Sequence, residues 1–204
     1  MEKNFSELAS DEAINKAKDA LEKNGIVVLI VENGAEAKEK VLQMVPEGAE
    51  IMNMSSVTVD SIGLAKEINE SGKYKSVRGM FAKMDKKTQG LEMQKLGAAP
   101  EWVVGSVHAV TEDGKVIIAS ASGSQLPSYA FGSPHVIWIV GSQKIVKDID
   151  EGTKRVYEYV LPLENERAMK AYGMGSNVNK MLVINKEVVA GRITMIIVKE
   201  KLGF

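Results

Sequence analysis

The segment IVVLIVENGAEAKEKVLQMVPEGAEIMNM, residues 26–54, contains two apolar runs separated by a stretch with helical periodicity. The first run, 26–31, is continuous and rich in β-branched residues, which is typical of a strand covered on both faces. Asn33 followed by Glu36 forms the pattern of a capping box, which opens a helix. The second run, 49–54, predicts another strand. A strand, a helix and a strand with short links predict a βαβ unit and a parallel sheet.

The flanking segments extend this alternation in both directions. Further helices are predicted over residues 6–24, around 62–68, over 88–98 and over 148–160, and further strands over 135–140, 181–185 and 193–200. Because crossovers between parallel strands are right-handed, helices are expected on both faces of the sheet. The sequence therefore predicts an α/β fold, a three-layer α/β/α arrangement with a mostly parallel, mixed sheet, as one domain over residues 1–204.

Two regions depart from the alternation. Apolar runs within residues 101–120 flank Glu112-Asp113-Gly114, and Asp-Gly is a strong hairpin signal. We therefore expect an antiparallel element attached to the main sheet. Residues 71–90 are basic and lack a clear period, and we interpret them as a solvent-exposed excursion over the sheet edge rather than as a nucleic-acid patch.

Composition excludes several classes of protein. A net charge of −1 argues against nucleic acid and against an anionic membrane surface as partners. The absence of cysteine excludes disulfides, thiolate catalysis and cysteine-ligated iron–sulfur clusters within this sequence. The N-terminal segment lacks the apolar region of a signal peptide, and no run is long enough to span a membrane. These features predict a cytoplasmic protein.

The two histidines give little indication of a metal site. His108 and His135 lie far apart in the sequence, and neither belongs to a ligand motif with metal spacing. We interpret both as structural side chains rather than catalytic ones, and we predict no metal and no resident cofactor. The chain also lacks a phosphate-binding loop and a nucleophile elbow.

Three loops are candidates for a ligand site because each follows a predicted strand, where ligands gather in α/β sheets. The first loop carries Ser55, Ser56 and Thr58, whose hydroxyls suit a phosphate or carboxylate, although N-capping by one serine also explains the pattern. The other two contribute small residues and one cation: Ser122, Gly123 and Ser124 in the second, and Gln143 and Lys144 in the third.

Glu112 is the candidate for acid–base chemistry. Turn geometry alone explains Asp113 before Gly114, whereas it does not explain Glu112. A single carboxylate without a positioned partner does not define a reaction, so the residues leave open whether the protein is an enzyme.

Four blocks resemble the LUD domain, the lactate-utilisation family. They are MNMSSVTVDSIGL, GSVHAVTEDGKVIIASASGSQLPSYAFG, GSQKIVKDIDE and KEVVAGRITMIIVKEKLGF, and together they span nearly the whole chain. The resemblance implies the fold of pentose-phosphate isomerases, glucosamine-phosphate deaminases and CoA transferases. The chain departs from many relatives at Glu112-Asp113-Gly114, where they read Thr-Gly-Thr, and at Gln143, where they read Asn.

The resemblance also implies a role in lactate oxidation, with a small anionic metabolite as ligand and iron–sulfur oxidoreductase subunits as partners. Two alternatives stay open. One is an isomerase-like or CoA-transferase-like enzyme acting on a sugar phosphate or thioester, in which Glu112 would act by analogy of fold. The other is a non-catalytic assembly subunit. The sequence also allows a homo-oligomer.

Overall fold

The structure, a computed structural model, describes residues 4–204, in which strands and helices alternate along most of the chain. The strands are β1 Val27–Val31, β2 Glu50–Asn53, β3 Lys75–Ser76, β4 Trp102–Gly105, β5 Ala109–Thr111, β6 Val116–Ser120, β7 His135–Gly141, β8 Ile145–Val146, β9 Lys180–Ile184 and β10 Ile193–Val198. The helices are α1 Asp11–Lys23, α2 Gly34–Met44, α3 Val57–Ser61, α4 Leu64–Glu70, α5 Val77–Phe81, α6 Lys86–Ala98, α7 Ile149–Arg155 and α8 Leu161–Tyr172. A 3₁₀ turn covers Ser142–Lys144, and π-helical turns cover Ser128–Gly132 and Val156–Val160.

The main sheet has six strands in the order β1-β10-β7-β4-β2-β3, and each neighbouring pair is parallel. Side chains of the central strands alternate between two apolar cores. Trp138 of β7 contributes to the core beneath α1, whereas Ile137 contributes to the core beneath α2, α3 and α4. Both faces of the sheet are therefore covered, which explains the continuous apolar runs. The predicted α/β class with a mostly parallel sheet is confirmed.

The hairpin belongs to a second sheet rather than to the main one. Strands β5 and β6 pair antiparallel within a four-stranded sheet of order β8-β5-β6-β9. The expected attachment to the main sheet does not occur because β4 already pairs with β2 on one side and β7 on the other. One face of the second sheet, with Val116 and Ile118, packs in the core shared with the main sheet. Its opposite face, with Ile117, joins a separate cluster with Val156.

Local sequence signals account for the first helices. Ser10 caps α1 by accepting a hydrogen bond from Ala13 N–H at 3.2 Å, so the helix begins later than the apolar stripe alone indicated. The predicted cap of α2 is confirmed, since the Asn33 side chain accepts from Glu36 N–H at 3.0 Å.

The interpretation of residues 71–90 as a solvated excursion is wrong in part. The segment supplies the edge strand β3 and helix α5, and Val77 is fully buried in the core. Ser76 stabilises this short helix by accepting a hydrogen bond from Gly79 N–H at 3.0 Å. Helix formation turns one basic side chain, Arg78, toward the main sheet instead of toward solvent.

The predicted helix over 148–160 is longer than expected. Helix α7 passes through the π-helical turn Val156–Val160 into α8, where Pro162 occupies the first turn. Proline is tolerated there because a backbone N–H in the first turn of a helix has no acceptor within that helix. Across residues 4–204, no helix combines the length and apolar character needed to cross a membrane.

Candidate functional site

A cavity of about 520 Å³ opens at the carboxyl ends of the parallel strands. The segment after β2, Ser106 after β4 and Lys144 after β7 line it together. Because these strands are neighbours in the sheet, their ends lie side by side, as expected for ligand sites in α/β folds. The end of β6, the π-helical turn before α8 and the segment before β9 form the remaining walls.

Lys144 is the central cation of this cavity. Only 3% of its surface is exposed, and its ammonium donates hydrogen bonds to Thr58 Oγ1 and Ser106 Oγ, each at 3.0 Å. Within residues 4–204 it forms no ion pair. An ammonium has three N–H donors, so one remains for a ligand. A buried cation without a counter-ion is costly and favours binding of an anion.

Burial changes the charge of Lys144. Loss of solvation and, secondarily, the positive charge of Arg155 lower the pKa of Lys144 to about 7. The side chain is therefore present in both the charged and the neutral form near neutral pH. Such a lowered pKa is typical of functional lysines when it coincides with a cavity.

His108 lines the same cavity and is neutral. Burial, followed by the charges of Lys144 and Arg155, lowers the pKa of His108 to about 3. Its Nδ1 accepts a hydrogen bond from Ala119 N–H at 3.1 Å, so the proton of the neutral ring lies on Nε2. His108 therefore bonds the backbone through Nδ1 and keeps an N–H donor on Nε2 in the cavity wall.

Arg155 lies behind His108 and is fully buried. Its Nη1 donates to the His108 carbonyl oxygen at 2.5 Å, while Nε and Nη2 have no hydrogen-bond partner. Its guanidinium lies 5.2 Å from the ring centroid of Tyr159. Burial lowers the pKa of Arg155 to about 10. The positive charge of this second buried cation makes protonation of Lys144 less favourable.

Arg78 supplies another cation. Its Nε donates to the Asn53 carbonyl oxygen at 2.5 Å, and its Nη2 donates to Ser55 Oγ at 2.8 Å. It also forms no ion pair within the described residues. Arg78 was not predicted from the sequence, because it lies in the irregular basic segment, where no periodicity indicates the direction of its side chain.

The predicted hydroxyl loop lies in the cavity wall. Ser55, Ser56 and Thr58 all line it. Ser56 also caps α3 through a 3.4 Å hydrogen bond from Val59 N–H, so its hydroxyl has the structural role that the sequence allowed. Thr58 has two partners, since it donates to the Leu202 carbonyl oxygen at 3.2 Å and accepts from Lys144.

The loop after β6 contributes Ser122 and Ser124, whereas Gly123 does not line the cavity. The two serine hydroxyls are 3.1 Å apart, and Ser120 Oγ accepts from Gly123 N–H at 2.8 Å. Gly123 has φ of 87°, which allows this tight turn. Its role is thus to shape the loop.

Gln143, also predicted as a ligand residue, lies outside the cavity lining. Its Nε2 donates to the carbonyl oxygens of Leu202 and Gly203 at 2.9 and 3.4 Å. Thr58 contacts the same segment. Gln143 therefore holds residues 202–203 against the hydroxyl loop.

Glu112 is not among the cavity residues. It lies at the turn of the hairpin, opposite the end that carries His108 and Ser120, and it pairs with Lys16 at 2.7 Å. Hydrogen bonding to Glu112 raises the pKa of Lys16. Asp113 accepts short hydrogen bonds from Thr111 and Lys115, in keeping with turn chemistry.

The outer wall combines an ion pair with apolar side chains. Arg167 donates to both carboxylate oxygens of Glu164 at 2.7 and 2.8 Å and lies over the Tyr172 ring. Val160 and Val178 provide apolar surface nearby. Residues 4–204 contain no group of three His, Asp or Glu side chains arranged to hold a metal ion.

The fold and the cavity define an α/β protein with a metabolite-sized, cation-bearing site at the strand ends. Residues 14–201 match the LUD domain family, so the chain belongs to that family, which supports a role related to lactate utilisation. No curated protein matches the sequence significantly.

Two solved structures are similar to this chain. A crystal structure of a DUF162 family protein from Deinococcus radiodurans has a TM-score of 0.58 at 12% identity, covering 94% of this chain and 99% of that one. This similarity shows the fold. Chaetomium thermophilum eIF2B beta has a TM-score of 0.37 at 13% identity, covering 69% of this chain and 46% of that one, and carries no argument.

Proposed function

We propose that the protein binds a small anionic metabolite, a carboxylate or phosphate compound, as part of lactate utilisation. The observation that carries this proposal is the buried Lys144 ammonium, which within residues 4–204 has hydroxyl partners and no carboxylate partner. An anion in the cavity would supply the missing counter-charge and accept the remaining N–H. Arg78 provides a second positive group, whereas the Arg167 charge is neutralised by Glu164.

The cavity favours a metabolite over a macromolecule. Its volume lies within the range of about 300–1,000 Å³ that is usual for small-molecule sites. Polar groups cluster around Lys144 and Arg78, while Val160 and Val178 add apolar surface to the lining. A ligand with an acidic head and a less polar remainder would match both parts.

Isothermal titration calorimetry with lactate, pyruvate and inorganic phosphate tests this proposal directly. We expect saturable binding of at least one of these anions to the purified protein. Arg78→Gln should weaken it about tenfold, because a charge-assisted hydrogen bond contributes about 1.5–3 kcal/mol. Lys83→Gln, which removes an exposed cation from the same segment, is the control and should bind as the wild type does. Absence of binding for all three anions would refute the proposal.

We further propose that the protein acts beside iron–sulfur subunits in lactate oxidation. Oxidation of lactate releases electrons, and the sequence has no cysteine with which to hold a cluster. Deletion in the native host should abolish growth on lactate, and wild-type protein should restore it. Arg78→Gln should restore growth poorly. If Arg78→Gln and the wild type restore growth equally, anion binding in the cavity is not needed for growth on lactate.

A further inference from the structure

The cavity presents one lysine among the described residues that line it, Lys144, and its hydrogen-bond partners are two hydroxyl oxygens. Thr58 uses its own hydroxyl proton to bond the Leu202 carbonyl oxygen, so it accepts from Lys144 rather than donating. Ser106 accepts the second N–H. The Ser106 hydroxyl directs its own proton to the Val107 carbonyl oxygen at 3.5 Å, so in the neutral amine both N–H groups bond hydroxyl oxygens and the lone pair is left for an electrophile.

We infer that Lys144 is a nucleophile that forms an imine with the ketone carbon of a 2-oxo acid bound in this cavity. The inference rests on the proposed anion-binding function and names its substrate class. Burial supports it, since the lowered pKa of about 7 leaves about half of the side chain as free amine at neutral pH. An ordinary exposed lysine, with a pKa of about 10.4, has roughly a thousandfold less.

Neighbouring groups suit the two ends of a 2-oxo acid. His108 carries its proton on Nε2, because Nδ1 accepts from Ala119 N–H. Its low pKa keeps the ring neutral, so the ring does not take a proton from Lys144. The Nε2–H group can then donate a hydrogen bond to the ketone oxygen. Arg78, held by Ser55, provides a guanidinium for the carboxylate.

The bond changes balance without a further reactant. The Lys144 nitrogen lone pair attacks the ketone carbon, the C=O π pair moves to oxygen, and one amine proton is transferred to that oxygen to give a carbinolamine. The C–O bond then breaks and the second amine proton leaves with it as water, forming C=N. A proton taken from solvent gives the iminium, and hydrolysis reverses every step.

The charged groups around Lys144 determine its pH dependence. Those lining the cavity are Asp60, Arg78, Glu164 and Arg167, and Arg155 lies behind His108. Glu164 and Arg167 neutralise each other, Asp60 is exposed at the rim, and Arg78 and Arg155 are positive. The cations near the lysine therefore outweigh the anions and favour its neutral form.

Reductive trapping tests the inference. Purified protein is incubated with pyruvate and cyanoborohydride, and tryptic peptides are analysed by mass spectrometry. With pyruvate below saturation, where the pKa of the free protein governs the reaction, we expect a single reduced pyruvate adduct, on Lys144, formed at a rate that rises as pH increases through about 7. Lactate, which has no ketone, should give no adduct. Lys144→Arg keeps a cation and should abolish trapping, whereas Lys147→Arg, three residues away and exposed, should not.

Binding measurements separate the two proposals. If pyruvate binds in calorimetry but no adduct forms on Lys144, the imine inference is overturned and the anion site stands. If adducts form only on other lysines, the inference is also overturned. If pyruvate, lactate and phosphate all fail to bind and nothing is trapped, both the site and the imine are refuted. A Lys144 adduct on wild-type protein, located by sequencing the peptide, supports the inference even if Lys144→Arg folds poorly.

Discussion

The Lys144 ammonium and the Thr58 hydroxyl lie 3.0 Å apart, although 86 positions separate these residues in the chain. Thr58 follows β2 and Lys144 follows β7, and these two strands flank β4 in the main sheet. Both residues therefore lie at the carboxyl ends of the parallel strands. This hydrogen bond joins two of the three predicted ligand loops. It also places the Lys144 ammonium where burial is nearly complete. Replacing this side chain, changing its protonation state or changing its neighbours should therefore alter stability or binding measurably.

Replacement of Lys144 by methionine should stabilise the fold in a pH-dependent way. Burial without a counter-ion lowers the pKa of Lys144 from 10.5 to about 7, which means that the folded state resists protonation. Below about pH 7 Lys144 is protonated in both the folded and the unfolded state, and the full free-energy cost of burying its charge is present. Between about 7 and 10.5 the unfolded state holds more protons, so wild-type stability rises with pH.

Lys144→Met should therefore be more stable than wild type by about 1–3 kcal/mol at pH 6, and this advantage should shrink by pH 10. Urea unfolding across this pH range measures it. Lys147→Met removes an exposed lysine and should show no such trend. A pH-independent difference between Lys144→Met and wild type would contradict the buried charge.

Binding of lactate should weaken as the pH rises above about 7. A bound carboxylate raises the pKa of Lys144, so binding takes up a proton whenever the free protein is deprotonated. Affinity should be constant below that pH and then fall up to about tenfold per pH unit. His108 does not contribute, because its pKa of about 3 keeps it neutral throughout.

Calorimetry at pH 8 in two buffers with different ionisation enthalpies measures this proton uptake. Apparent enthalpies that differ in proportion to the buffer enthalpy are expected. Equal enthalpies in the two buffers, together with an affinity that does not change from pH 6 to 9, would show that anion binding does not change the protonation of Lys144.

The positions of Thr58 and Lys144 could be predicted because a general rule applies: ligands collect where parallel strands end. The same rule could have found Ser106, which directly follows the apolar run of β4. It could not find Arg78, since α5 has only five residues, too few to show a helical period, and depends on burial of Val77 as well as on its Ser76 cap. The direction of Gln143, toward residues 202–203, depends on a contact far along the chain that no local signal encodes.

Gly203 is expected to control the shape of the hydroxyl loop. Its φ is 65°, and a Cβ there would lie 2.4 Å from Thr58 Oγ1. Gly72 has a similar φ of 75° with open space around it, so Gly72→Ala introduces the backbone strain without the clash. Both alanine variants should lose about 1 kcal/mol from strain. Only Gly203→Ala should also weaken lactate binding, by about tenfold or more, and calorimetry of the two variants side by side distinguishes the cases.

Arg192 should be essential to stability although it does not line the cavity. Its guanidinium pairs with Glu187 at 2.6 Å and donates to the carbonyl oxygens of Ser133 and Tyr129 at 2.9 and 2.7 Å. Arg192→Met removes the cationic partner of a buried carboxylate and the donor to two carbonyl oxygens, and it should cost about 3–5 kcal/mol. Glu187→Gln keeps an acceptor and should cost less. Urea unfolding that ranks these variants in the opposite order would contradict the pairing.

Arg155 should set the pH at which Lys144 becomes reactive. Its positive charge helps to lower the pKa of Lys144, and it lies outside the cavity lining. Arg155→Met removes that charge, so the pKa of Lys144 should rise and the pH midpoint of pyruvate trapping should move upward from about 7. The variant also removes a buried cation with two unpartnered nitrogen atoms, so no large loss of stability is expected.

Lys154→Met, which removes the adjacent exposed cation, controls for net charge and should leave the midpoint in place. A midpoint that stays the same in Arg155→Met, in protein shown by circular dichroism to be folded, would mean that burial alone determines the titration of Lys144.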